Sequence, residues 1–150
     1  IRILPAETEI IATHPMFGPD SGKSGVRGLL LVFCPVRASS AASAAWMDRF
    51  SSLGLSVMEM SPEEHDREAA YAQGVNHFIG RVLGGLNLKG SPMATLGYKK
   101  LLEIVEQTCN DPERLFIDLQ RHNAYTGAMR KELDASYKRV TAMIEDGEGR

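Results

Sequence analysis

Hydrophobic and polar positions follow one rhythm up to about residue 60 and another beyond it. In the front part, residues 8–13 are short, β-branched and apolar. They predict a strand ending at His14 and Pro15, because the residue before a proline avoids the helical region. Residues 15–27 carry three glycines and two prolines and predict a loop. Residues 29–33 form an unbroken apolar run, as expected of a strand buried on both faces, with Pro35 as its stop. Ser39 or Ser40 can cap a helix reaching about Leu53, with Gly54 just past its end. Residues 55–60 read as a further strand, and this alternation predicts a mostly parallel sheet.

From Ser61 onward the spacing is helical throughout. Ser61, Pro62, Glu63 and Glu64 combine an N-cap, a proline at the first helical position and acids in the first turn. The helix they open should run to about Leu86, where Gly84, Gly85 and Asn87 weaken it. A second helix is expected from near Ser91 and Pro92 to about Cys109. A third should start at Asn110 or Asp111 with Pro112 and run to about Glu145, leaving residues 146–150 as a frayed tail. At roughly thirty residues, that last helix would span about 50 Å, more than the width of a small domain. Its apolar positions Leu115, Leu119, Met129, Leu133, Tyr137, Val140 and Ile144 recur in threes and fours, with His122 and Thr126 on the same stripe. A stripe of that length needs more cover than two shorter helices give. A long core helix would account for it; a subunit interface accounts for it better.

Composition narrows the classes. Of 150 residues, 43% are hydrophobic and 24% charged, which argues against wholesale disorder. A net charge of -2 gives no basic excess for nucleic acid, and no Lys/Arg-rich run suits an anionic membrane. The longest apolar stretch, residues 28–34, is too short for a membrane span and lacks signal-peptide flanks. Two cysteines, Cys34 and Cys109, read as reduced thiols in an intracellular protein. With four histidines they show no metal-ligand spacing, so no metal site is expected. The chain begins at Ile1 rather than an initiator methionine, which reads as a piece cut from a longer protein.

The densest chemical signal is His14-Pro15-Met16-Phe17-Gly18-Pro19-Asp20-Ser21-Gly22-Lys23. Ligands of open α/β sheets bind beyond the carboxyl ends of strands, which is where His14 falls. A neutral imidazole there can accept a proton near physiological pH. On spacing alone, a histidine in a proline-fixed turn explains the same residues. The second signal is Asp66, Gln73 and His77, which fall within an arc of roughly 40° on a helix turning about 100° per residue. That stripe suggests a wet cleft, although a solvated face of an amphipathic helix has the same appearance. His65 beside Asp66 reads as part of a helix start whose acid complements the dipole.

The run from His14 to Lys23, with Met58-Glu59-Met60-Ser61, Glu64-His65-Asp66, Gln73 and His77-Phe78, resembles the prephenate/arogenate dehydrogenase family of tyrosine biosynthesis, and its plant-like branch most of all. The resemblance implies an α/β remnant of a nucleotide-binding sheet followed by an all-α helical dimerisation domain, mostly α overall. Residues 1–60 would be the last strands and helix of a Rossmann-like domain, and residues 61–150 the helical substrate-binding and dimerisation domain. It implies oxidative decarboxylation of a cyclohexadiene, prephenate or arogenate, with NAD or NADP as cofactor. His14 would be catalytic, polarising the ring hydroxyl. Gln73, His77, Asp66 and Ser21 would bind substrate. The chain would act as a homodimer, in the cytoplasm if bacterial or the plastid if plant, without nucleic acid or membrane partners. No G-x-G-x-x-G follows a strand, so the main cofactor site should lie upstream and this piece should be inactive alone. Many relatives carry an arginine for the substrate carboxylate where the matched position here is Glu103. Lys99, Lys100, Arg81, Arg121 and Arg130 are the candidate replacements. Asp66 or Glu103 near the pocket would favour the ammonium group of arogenate. The competing reading is a non-catalytic helical dimerisation or regulatory module.

Overall fold

The computed structural model describes residues 3–147. The chain divides into two compact units, the first ending at His65 and the second beginning at Asp66.

The first unit is built on three strands, β1 (Ile10–Pro15), β2 (Leu30–Arg37) and β3 (Ser56–Glu59), in the order β1-β2-β3. The sheet is mixed, not mostly parallel: β1 runs antiparallel to β2, and β2 parallel to β3 through α2 (Ser40–Ser52). Leu31, Val32, Phe33 and Cys34 of the central strand form its core, with Phe33 fully buried and edge-on to Phe50 of α2 at 6.3 Å between ring centroids. This is the continuous apolar run expected of a strand covered on both faces.

The first strand ends at Pro15 as expected, whereas Pro35, expected to stop the second, lies inside it. Pro15 belongs to β1, an edge strand, where a missing N–H can face away from the ladder. Pro35 sits in β2 beyond the four positions paired with β3, next to an irregularity in the β1 register at Ile10 and Ile11. The loop after β1 contains one helical turn, α1 (Pro19–Gly22).

Local capping chemistry is as the sequence reads. Ser39 Oγ accepts from the Ala42 N–H at 3.2 Å, and Gly54 follows α2 with φ +88°. Ser61 and Glu64 form a capping box at the start of α3 (Pro62–Ala69): the Ser61 N–H donates to Glu64 Oε2 at 2.8 Å and the Glu64 N–H to Ser61 Oγ at 3.2 Å. A cap of this kind contributes about 1 kcal/mol.

The second unit is helical. The expected single helix from Ser61 to about Leu86 is interrupted by a π-turn, Ala70–Gly74, before α4 (Val75–Gly84). Here the Val75 N–H donates to the Ala70 carbonyl, five residues back. The next helix, α5 (Leu96–Cys109), begins later than Ser91 because Thr95 Oγ1 caps it by accepting from the Tyr98 N–H at 3.2 Å.

The expected long third helix is two helices, α6 (Glu113–His122) and α7 (Thr126–Gly147). Asn123 breaks it with an extended backbone at ψ 122°. Its Oδ1 accepts from the Tyr125 N–H at 2.8 Å, and its Nδ2 donates to the Asp66 carbonyl at 2.6 Å. An asparagine that bonds its own backbone competes with the helix. At 22 residues α7 spans about 33 Å rather than 50 Å. Of the expected frayed tail, Asp146 and Gly147 end α7, and residues 148–150 lie outside the described residues.

Candidate functional site

His14 lies in β1 opposite Val32, immediately before Pro15, and is half-buried. Its Nδ1 is 2.8 Å from Nε2 of His65 in α3, with ring centroids 5.0 Å apart and planes inclined by 65°. One nitrogen donates and the other accepts, so the contact fixes the His14 ring and leaves its Nε2 on the opposite side. Burial first, and then any positive charge on His65, push the His14 pKa below the ordinary 6.5. The imidazole is therefore kept neutral, the state a proton acceptor needs. His65 is itself held one turn into α3, where its N–H donates to the Ser61 carbonyl at 3.0 Å. Nothing in the spacing of the sequence pairs it with His14. Ser21 is exposed on the single turn α1.

In the second unit Asp66, Gln73 and His77 are all half-buried, but they do not share one uninterrupted stripe. The arc of roughly 40° assumed an α-helix at about 100° per residue. The π-turn, which contains Gln73, changes that phase between Asp66 and His77.

His77 Nδ1 lies 3.7 Å from Asp111 Oδ2 and is buried without a hydrogen-bond partner. One turn further along α4, Arg81 Nη2 donates to the Asp111 carbonyl at 2.6 Å, while its guanidinium lies 5.4 Å from the centre of the Phe116 ring. Arg81 Nε is also buried without a partner. Asp111, between α5 and α6, thus gathers both side chains. The sequence marked it only as a possible helix start.

The candidate cations separate by environment. Arg81 is held as above, and Arg130 donates through Nη1 to the Gln120 carbonyl at 3.0 Å and to Gln120 Oε1 at 2.7 Å. Lys99, Lys100, Arg121 and Glu103 are exposed.

The same unit carries an apolar groove of about 560 Å³ between α4 and α7, lined by Phe78, Ile79, Val82, Leu133, Tyr137 and Val140 among others. Exposure rises along α7, from Met129 at 1% to Tyr137 at 70% and Ile144 at 63%.

Among the described residues no group of three or more His, Cys, Asp or Glu side chains is placed to hold a metal, and no helix is long and apolar enough to cross a membrane. A dinucleotide needs a glycine turn between strand and helix so that its pyrophosphate can approach the backbone. The parallel β2-α2-β3 unit turns through Ala38 and Ser39 instead, with Ser39 engaged as the cap. These residues do not fit the pyrophosphate of NAD or NADP.

Residues 82–149 match the family model described as TYRAAT1-like, C-terminal domain. The chain is 40% identical over 145 residues to arogenate dehydrogenase 2, chloroplastic, of Arabidopsis thaliana, covering 93% of this chain and 40% of that protein. Identity is 39% over 128 residues to arogenate dehydrogenase 1, chloroplastic, of the same plant, covering 82% of this chain and 20% of that protein. The chain therefore spans well under half the length of these relatives.

Among solved structures, Synechocystis arogenate dehydrogenase superposes with a TM-score of 0.69 at 15% identity, over 92% of this chain and 54% of that one. Prephenate dehydrogenase from A. aeolicus, in complex with hydroxyphenyl propionate and NAD+, gives 0.64 at 17% identity, over 93% of this chain and 53% of that one. At those identities the likeness is one of fold. Over most of its length, this chain is similar to arogenate dehydrogenases, and its residues 82–149 match a C-terminal domain model.

Proposed function

We propose that the chain is the C-terminal part of an NAD(P)-dependent dehydrogenase that oxidatively decarboxylates arogenate or prephenate. The observation that carries this reading is a half-buried His14 in β1, in contact with His65 and with a pKa that burial first and His65 second push below the ordinary value. His14 is the catalytic residue: Nε2 takes the proton of the substrate's ring hydroxyl as the carbon bearing it is oxidised. Aromatisation of the ring favours loss of the carboxylate as carbon dioxide, so the protein's task is positioning and proton acceptance. NAD or NADP, when bound, would supply the hydride acceptor, and these residues do not provide the glycine turn that would hold its pyrophosphate. Gln73, His77, Asp66 and Ser21 are the substrate-binding residues in this proposal. Asp66 favours arogenate, because its carboxylate complements an ammonium group. The active form is a homodimer, for which the uncovered apolar face of α7 supplies a surface. The setting is cytoplasmic or plastidic according to lineage.

The test is an assay of the full-length protein carrying this sequence, with arogenate and prephenate against NAD and NADP. Turnover is expected, with arogenate preferred, and His14→Asn should lower kcat by about 10²–10⁴-fold, the range a positioned proton acceptor contributes. The 150-residue chain alone should bind NAD poorly and turn over little. Absence of turnover in the full-length protein with every pairing would favour the second reading, a helical dimerisation module, for which the exposed Tyr137, Val140 and Ile144 speak.

A further inference from the structure

From the contact between His14 and His65 we infer that His65 is a positioning residue: its Nε2 accepts a hydrogen bond from Nδ1–H of His14, so that Nε2 of His14 is bare and able to take a proton. The inference deepens the dehydrogenase reading and rests on it for the purpose of that proton acceptance.

The geometry is that of a hydrogen bond. The nitrogens are 2.8 Å apart. Two nitrogens on one tetrahedral zinc ion, each about 2.0–2.1 Å from it, would stand roughly 3.3 Å apart. A steep inclination of 65° between the rings keeps them from stacking and suits an in-plane N–H pointing at a lone pair. A neutral pair at this distance places one proton on the line between the nitrogens. If His65 supplied it, His14 would carry its own proton on Nε2, and that nitrogen could donate but not accept. If His14 supplies it, the acceptor faces outward. Proton uptake then turns His14 into an imidazolium whose Nδ1–H still has a neutral acceptor, and a charge-assisted bond of this kind is stronger than a neutral one. His65 so does for His14 what a buried carboxylate does for the histidine of a hydrolytic triad, without a carboxylate's charge.

His65 is well placed for the task. It stands at the start of α3, whose first turn is fixed by the reciprocal Ser61 and Glu64 hydrogen bonds. His14 stands in a strand paired along its length with the central strand. Both rings therefore hang from backbone that secondary structure holds rigid, the condition for fixing a tautomer.

The experiment is ¹⁵N–¹H correlation of the histidine rings in the complete chain, at a pH where both rings are neutral, without substrate or cofactor. His14 should show a protonated Nδ1 and a bare Nε2, the reverse of the tautomer that free histidine prefers. In His65→Phe, His14 should revert to the Nε2–H tautomer. In His65→Gln, whose amide oxygen can reach the place of Nε2, the Nδ1–H form should return. In the full-length protein, His65→Phe should lower kcat about 100-fold with KM little changed, and His65→Gln should restore most of it. A protonated Nε2 on His14 in the unaltered chain, or an unchanged tautomer in His65→Phe, overturns the inference. The tautomer is read without any reaction. The expected tautomers in the chain, with no turnover by the full-length protein, would count against the dehydrogenase reading and leave the histidine pair standing.

Discussion

A methyl group at Gly80 would collide with Thr108. Built on the α4 backbone, a Cβ at Gly80 meets the Thr108 hydroxyl at an impossible distance and lies 2.9 Å from Thr108 Cβ and 3.1 Å from Cγ2. Thr108 is fully buried, and its Oγ1 donates to the Ile104 carbonyl at 2.7 Å, so it cannot turn away without losing that bond. Glycine within a helix ordinarily costs about 1 kcal/mol relative to alanine. Here the sign reverses, since overpacking costs about 1–3 kcal/mol and the contact is between fixed atoms. Gly80→Ala should lower the denaturant midpoint. The double variant Gly80→Ala with Thr108→Ala should recover stability beyond the sum of the single changes, as a double-mutant cycle would read. Additive losses would mean that the two helices do not approach as described.

The lowered pKa of His14 fixes a direction for the pH dependence of stability. Unfolded, the ring titrates near its ordinary 6.5; folded, burial and His65 place it lower. Below 6.5 the unfolded chain binds more protons than the folded one, so this contribution to stability is present above 6.5 and is lost as pH falls through the folded pKa. Urea midpoints measured from about pH 7.5 down to about pH 5 should fall for the unaltered chain. His14→Gln should remove part of that slope. An identical slope in the variant would show that other groups carry it.

Much of this was legible because it is local. Ser39, Gly54 and the Ser61/Glu64 box act on backbone within a turn of themselves, and their chemistry can be read from neighbouring residues. Phe33 and its neighbours announced a buried strand by their own hydrophobicity. What escaped depends on partners distant along the chain. Asn123 ends α6 while its amide bonds the Asp66 carbonyl 57 positions away, and His65 meets His14 at a separation of 51. Pro35 reads as a stop until β3 proves too short to need an N–H at that position. The π-turn follows the same logic, since the side chain that bonds it lies 46 positions away in the sequence.

That side chain is Gln120. It is 7% exposed, and its Nε2 donates to the Gly74 carbonyl, the last of the π-turn, at 2.9 Å. Its Oε1 accepts from Arg130 at 2.7 Å. Replacing Gln120 by methionine keeps the volume but strips both bonds, one to the Gly74 carbonyl and one to the Arg130 guanidinium. The cost should be about 2–4 kcal/mol, the sum of a neutral hydrogen bond and one to a charged group. Gln120→Glu should cost less, since a carboxylate retains and strengthens the Arg130 contact while losing only the donor to Gly74. Thermal midpoints in the order unaltered chain, Gln120→Glu, Gln120→Met would bear this out, and equal midpoints for the two variants would not.

The proposed homodimer can be tested at Val140. This residue is 55% exposed in α7 and lines the apolar groove with Val82 and Tyr137, so little of its stabilising burial can come from the folded chain itself. A second copy covering the groove would bury it, and burial of a valine side chain is worth about 1.5–3 kcal/mol. Val140→Glu would forfeit that gain and place a carboxylate in an apolar contact, weakening association by about 3 kcal/mol or more, which is roughly a hundredfold in Kd. Because position 140 is open to solvent in a single copy, folding should be nearly unaffected, and circular dichroism melts would separate a failure to fold from a failure to pair. Sedimentation equilibrium should find a dimer for the unaltered chain and monomer for Val140→Glu at the same concentration. A variant that stays dimeric would move the interface elsewhere, and an unaltered chain that is monomeric at concentrations well above about micromolar would remove the basis for the dimer in this piece of the protein.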